Sequence, residues 1–173
     1  HITIRDVNDI LSHSYWSPRR SGLIGGKAAG MFLAHKILMP RHEPMDPELE
    51  AHLAMPESYY FSSGILSDFI DYNHLYSFHS QKYKNREVIE DDYEKMGELL
   101  ERAAFPPDVV EDFSAFLDEV GEHPLILRSS SLLEDNFGFM FSGKYESVFL
   151  ANQGPPRQRL NDFMWGMKQV LKS

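Results

Sequence analysis

The chain has 173 residues, 42% of them apolar and 13% aromatic, enough for one ordinary domain with its own core, which excludes disorder over most of the length. Seventeen Lys and Arg against 26 Asp and Glu give a formal charge of −9, which works against nonspecific attraction to nucleic acid or anionic lipid; the absence of cysteine excludes disulfides, thiolate metal sites and thiol nucleophiles. No apolar run approaches the roughly 18 residues that cross a bilayer, and the first nine residues lack a basic segment followed by an apolar one, so a soluble, cytoplasmic protein is expected, with neither nucleic acid nor membrane as partner.

Ile4, Val7, Ile10 and Leu11 fall at helical spacing, and Trp16-Ser17-Pro18 followed by Arg19-Arg20-Ser21-Gly22 ends that pattern in a polar loop. After Gly25-Gly26, residues 27–39 carry Ala28, Met31, Phe32, His35 and Leu38 with no internal proline, which predicts a helix opened by two glycines. Pro40, Pro44, Pro47 and Pro56 then punctuate a connection in which only residues 49–53 suit a helical turn. Residues 58–62, Ser-Tyr-Tyr-Phe-Ser, lie between Pro56 and Gly64 as a short aromatic run that suits a buried strand, with a helix following through Phe69 and Ile70.

Across residues 87–104, Ile89, Tyr93, Met96, Leu100 and Ala103 mark one helical face and leave Glu90, Asp91, Asp92, Glu94 and Lys95 to solvent. Pro106-Pro107 breaks the chain, and Val109, Val110, Phe113, Phe116, Leu117 and Val120 predict a further helix closed by Gly121. Leu125-Ile126-Leu127 reads as a buried strand and residues 145–150 alternate well enough to be a second strand, with a loop between them. Behind Pro155-Pro156, Leu160, Phe163, Met164, Met167, Val170 and Leu171 form a last amphipathic helix, whose periodicity still runs at the final residues. The chain opens on His1; with that ending, the expectation is one domain over residues 1–173, forming part of a larger protein.

Two short segments carry the chemistry. A Gly25-Gly26-Lys27 turn ahead of a helix can aim free backbone amides at an anion, with the Lys27 ammonium beside them; phosphate is the natural ligand. A P-loop is excluded, because Ser21 stands where its first glycine belongs and Ala28 where a magnesium-binding hydroxyl is needed. Leu127-Arg128-Ser129-Ser130-Ser131 delivers an arginine and three hydroxyls at a strand end, a donor set that suits phosphate oxygens. The plainer alternative at that strand end pairs Arg128 with Glu134 or Asp135. The eight histidines show no metal-ligand spacing, and adjacent carboxylates on an irregular loop such as Glu134-Asp135 more often cap amides than bind metal, so no metal ligand is assigned in this chain.

Arg128, Ser129, Ser130, Glu134, Asp135, Phe141, Gly143, Ser147 and Asn152, taken in order, resemble the ATP-binding domain of the pyruvate phosphate dikinase and phosphoenolpyruvate synthase family. Gly25-Gly26-Lys27 with its helix, and the proline-rich connection into residues 56–63, are similar to the same family's opening. Ser131 and Ser142 stand where the family usually has alanine, and Asn136 replaces an apolar residue.

The resemblance implies an α/β (α+β mixed) fold, an ATP-grasp-like N-terminal subdomain with several helices around a small mixed sheet. It implies ATP as ligand, with Lys27 and Arg128 as the catalytic cations on its phosphates. Gly25, Gly26, Ser129, Ser130 and Gly143 would complete the nucleotide contacts, and a loop over residues 137–144 would cover them. Mg²⁺ would be held by acidic ligands downstream of this chain, along with the adenine contacts. The function implied is the ATP-binding part of a phosphotransferase that passes a phosphoryl group to a carrier histidine in the remaining domains of the parent protein, then to pyruvate or another acceptor. The alternative is a non-catalytic module of the same fold that senses a nucleotide or holds a partner.

Overall fold

The computed structural model describes residues 3–19, 22–38, 47–52, 54, 56–76, 85–130, 135–136, 139–140 and 146–172. In chain order these form α1 (Ile4–Ser12), β1 (Ser14–Tyr15), α2 (Gly26–Leu38), α3 (Pro47–His52), β2 (Tyr60–Phe61), α4 (Gly64–Tyr72), α5 (Arg86–Arg102), α6 (Pro107–Val120), β3 (Leu125–Arg128), β4 (Asp135–Asn136), β5 (Phe139–Met140), β6 (Ser147–Leu150) and α7 (Pro156–Lys172).

The helices follow their sequence signals. Pro107 opens α6 where its missing N–H costs nothing, and Gly121 closes it at φ +60°. Thr3 and Asp6 begin α1: the Thr3 amide and hydroxyl both donate to the Asp6 carboxylate at 2.7 Å. Those bonds, with Lys36 behind them, hold the Asp6 carboxyl well below the usual carboxylate range. Lys36 reaches from α2 to Asp6 at 3.0 Å and Asp9 at 2.9 Å, tying the first two helices together.

The mixed sheet expected from the resemblance resolves, among the described residues, into three separate two-stranded sheets. β1 runs parallel to β2, with Ser14 opposite Tyr60 and Tyr15 opposite Phe61. Sequence alone reads residues 14–15 as the end of a helix and a loop; two residues show no alternation, and the strand exists only because β2 arrives beside it. β3 and β6 pair antiparallel, Leu125 with Leu150 and Arg128 with Ser147, while β4 and β5 pair inside the segment expected to be loop. The run Leu125-Ile126-Leu127 is not buried on both sides as expected: Leu127, Val148 and Leu150 point into the core, and Ile126 is 50% exposed. α7 packs on the face that bears Leu127, Val148 and Leu150, and Ile126 and Phe149 stand exposed on the other.

The core lies between that sheet and α4, α6 and α7. Phe69, Val109, Phe113 and Phe163 are fully buried within one cluster that takes in Ile65, Leu100, Leu127, Val148 and Leu150. Phe61 of β2 joins it by its ring, 5.3 Å from Phe116 and 5.6 Å from Phe113, edge to face. At the far end of β6, Arg159 of α7 is buried. It donates from Nε to Asn152 Oδ1 at 3.0 Å, and from its terminal nitrogen to the carbonyls of Leu117 and Gly121 at the end of α6. Asn152, at φ +55°, donates in turn to the Gly121 and His123 carbonyls at 2.8 Å. A buried arginine satisfying helix-end carbonyls is costly to remove, because those acceptors would be left bare.

Two tyrosines converge on α6. Tyr15 donates to Glu119 at 3.0 Å, and the Tyr59 hydroxyl lies 3.2 Å from the same carboxylate. Burial first, then the Glu119 carboxylate, push the Tyr15 phenol up to about 12, and Tyr59 is raised for the same leading reason. A phenol raised in the folded state gives stability that is whole below its ordinary value of 10.0 and is lost as pH climbs through about 12. Alkaline unfolding should therefore set in over that window, with Tyr15 and Tyr59 ionising after the exposed tyrosines by ultraviolet absorbance, and Tyr15→Phe should remove one late-titrating phenol. Early ionisation of Tyr15 alongside exposed tyrosines would contradict this.

Candidate functional site

The start of α2 and the end of β3 meet. A Cβ at Gly25 would lie 1.5 Å from the Ser130 carbonyl oxygen and 2.5 Å from its hydroxyl, so no other residue fits there without moving the backbone. The Ala28 amide donates to Ser130 Oγ at 3.1 Å, across 102 residues of sequence. Ala28 is the third residue of α2, and its N–H has no partner inside the helix; Ser130 supplies from a distance what a capping residue supplies locally. Gly25 serves as cap in backbone only, its carbonyl accepting from the Ala29 amide at 3.1 Å.

Each expected site residue can now be placed. Gly25 and Ser130 are in direct contact, Gly26 and Lys27 fill the first turn of α2 beside them, and a Cβ at Gly26 would meet nothing within 4 Å. Arg128 ends β3 two residues before Ser130, its side chain exposed, with Ser129 half-buried between them. Gly143, Glu134 and most of the expected covering loop lie outside the described residues; β4 and β5 fall within that stretch. Pairing of Arg128 with Glu134 or Asp135 rests on side chains outside the described set.

Residues that sequence reading passed over hold the junction in place. Gly22, at φ +102°, packs so closely on α4 that a Cβ would sit 2.2 Å from the Gly64 nitrogen. Leu23 and Ser63 exchange two bonds: the Leu23 amide donates to Ser63 Oγ at 3.0 Å, and the Ser63 amide to the Leu23 carbonyl at 3.1 Å. Upstream, the buried Ser17 hydroxyl donates to Asp68, while Arg19 spans Asp68 Oδ1 at 3.1 Å and Asp71 at 2.7 Å. The Arg19 contact to Asp68 Oδ1 is a charge pair without hydrogen-bond alignment, leaving that buried oxygen with no donor. The only sequence signals for this tether are Gly22 and the serines at 62 and 63, all of which look like ordinary loop residues.

No acidic residue belongs to the first turn of α2, so the positive end of its dipole has no carboxylate from its own helix. A cavity of about 490 Å³ beside Arg19 has the opposite character, with Asp68, Asp71 and Asp108 on its walls. A second, of about 660 Å³, is lined by Phe105, Val110, Trp165 and Lys168 from the helices; neither includes the Gly25–Ser130 junction. Among the described residues no group of three or more His, Asp or Glu could hold a metal ion, and no helix is long and apolar enough to cross a membrane.

A family model described as pyruvate phosphate dikinase, AMP/ATP-binding domain, matches residues 21–173. No curated protein and no solved structure matches.

Proposed function

Because the chain belongs to the pyruvate phosphate dikinase AMP/ATP-binding domain family, we propose that it binds ATP with the phosphates at the junction of α2 and β3, as part of a phosphotransferase. The observation that carries this reading is the seating of Ser130 against Gly25 and the Ala28 amide, which brings the strand end bearing Arg128 to the helix start bearing Lys27. The backbone amides at the start of α2, a lysine and an arginine together form the donor set a polyphosphate needs. Gly25 and Gly26 let the backbone approach, Lys27 and Arg128 take up phosphate charge as it shifts during transfer, and Ser129 and Ser130 orient oxygens. Gly143 belongs to the loop assigned to cover them.

In this reading the phosphoryl group passes to a carrier histidine elsewhere in the parent protein and then to pyruvate or another acceptor. The chain's own task is to hold and align the nucleotide, since phosphoryl transfer depends on positioning and charge more than on a nucleophile at this site. Mg²⁺, which the family implies, finds no ligand cluster among the described residues.

Titration of ATP against the protein and its Lys27→Ala and Arg128→Ala variants tests the reading. Each substitution should weaken binding by about tenfold or more, the usual scale for one charge-assisted phosphate contact. Unchanged affinity in both variants would overturn it.

A further inference from the structure

α7 carries two stripes of side chains. Phe163 and Gly166 are buried on the side of the core. Asn161, Met164, Trp165 and Lys168 recur at helical spacing and line the cavity of about 660 Å³, with Phe105 and Val110 across from them where α5 gives way to α6. Trp165 is 55% exposed, because Phe163 already fills the place of α7 in the aromatic cluster. An exposed indole beside the half-buried Val110 and Met164 makes a contiguous apolar recess. At its edge the Lys168 ammonium donates to the Glu101 carbonyl at 2.9 Å. Burial pushes that ammonium down from its ordinary value, and the Glu101 carboxylate offsets the shift only in part. Among the described residues Glu101 is the one acid on these walls. Its side chain is 60% exposed and lies 3.6 Å from Lys172 Nζ, so two ammonium groups stand against one carboxylate in a chain of formal charge −9.

We infer that this recess binds a small organic anion, a carboxylic acid with an aromatic or branched apolar body, its carboxylate on Lys168 and its body against Trp165. Charge complementarity fixes the first half of that occupant. An ammonium has three N–H donors and the Glu101 carbonyl takes one; a partly desolvated cation gains more from a carboxylate than one in open water does. The apolar walls fix the second half, since an inorganic anion would leave Trp165 and Val110 uncovered. The cavity has the size of sites that hold small molecules, mostly apolar with a few polar groups, and the Asn161 and Gln169 amides supply further donors. The recess does not include the Gly25–Ser130 junction, so the inference goes beyond the nucleotide reading and does not rest on it.

The test titrates 4-phenylbutyrate, its neutral amide and acetate against the full chain by NMR, with the Trp165 indole resonance as the local readout. 4-Phenylbutyrate should bind with a dissociation constant of about 1 mM, the scale for a ligand of its size. The amide, which lacks the charge, and acetate, which lacks the body, should each bind about tenfold more weakly. Lys168→Met should bring the acid down to the affinity of the amide, and Lys168→Arg should restore it. Trp165→Ala should weaken acid and amide alike. Both side chains lie outside the buried core, so melting temperature should hold, and circular dichroism checks that. Should Lys168→Met fail to fold, the contrast between acid and amide on the unaltered protein decides. Equal affinity for acid and amide, an acid affinity indifferent to Lys168→Met, or no Trp165 shift at about 10 mM acid would each overturn the inference. A concentration-dependent dimer that Trp165→Ala dissolves, with no binding of the acid, would assign the recess to a second copy of the chain and overturn it too.

Discussion

Gly25→Ala is expected to lower ATP affinity by about a hundredfold, more than the loss of either cation alone, and to cost about 1–3 kcal/mol of stability. The added methyl would land 1.5 Å from the Ser130 carbonyl oxygen, a backbone atom that cannot rotate away. Either α2 or the segment after β3 must shift, and the Ala28–Ser130 bond is lost with the shift. Arg128 and Lys27 would then no longer share an alignment, so two charge-assisted contacts weaken through one substitution. Its neighbour provides the comparison for stability: a Cβ at Gly26 has open space, and Gly26→Ala in a first helical turn should be neutral or slightly stabilising. Calorimetric titration and thermal unfolding of the two variants measure the contrast. A Gly25→Ala protein with unaltered melting temperature and affinity would disprove the close seating of the two elements.

Phe163→Ala should be among the most damaging single changes in the core, at about 3–5 kcal/mol. Its ring is fully buried and lies 5.1 Å from Phe113, 5.2 Å from Phe116 and 5.8 Å from Phe61, so it joins α7 to α6 and β2 at once. The three rings beside it hold their shape, which limits how far the void can close. Against a total stability of about 5–15 kcal/mol, that loss leaves little margin. Denaturant unfolding gives the value directly, and a loss under about 1 kcal/mol would mean the cluster relaxes in ways the ring geometry does not suggest.

The helices were legible because their apolar residues recur at helical spacing and their ends carry proline and glycine. Residues 107–120 have both, and the observed α6 matches the expected helix closely. The strands were harder, because their existence depends on partners far away in sequence. Tyr60–Phe61 carries an aromatic strand signal, whereas Ser14–Tyr15 carries none, and β1 forms only where the two meet. At the candidate site, Gly25-Gly26-Lys27 and Arg128-Ser129-Ser130 could each be picked out by residue type. Their meeting through Ser130 and the Ala28 amide could not, since a serine that caps a helix from 102 residues away leaves no periodic trace. Ile126, half-exposed in the fold, reads as buried in the sequence for a related reason: an apolar triplet does not reveal how many layers will flank it.

The family match begins at residue 21, yet β1 and the Ser17 hydroxyl precede that point and belong to the folded body. Tyr15 stacks on Phe61 at 5.0 Å and meets Phe116 edge-on, while Ser17 supplies a hydroxyl to the buried Asp68. Trimming expression boundaries to the matched span would therefore unzip β2, bare one side of the Phe61 ring and strand a carboxylate in the interior. The architectural unit starts upstream of the region by which its ancestry is recognised.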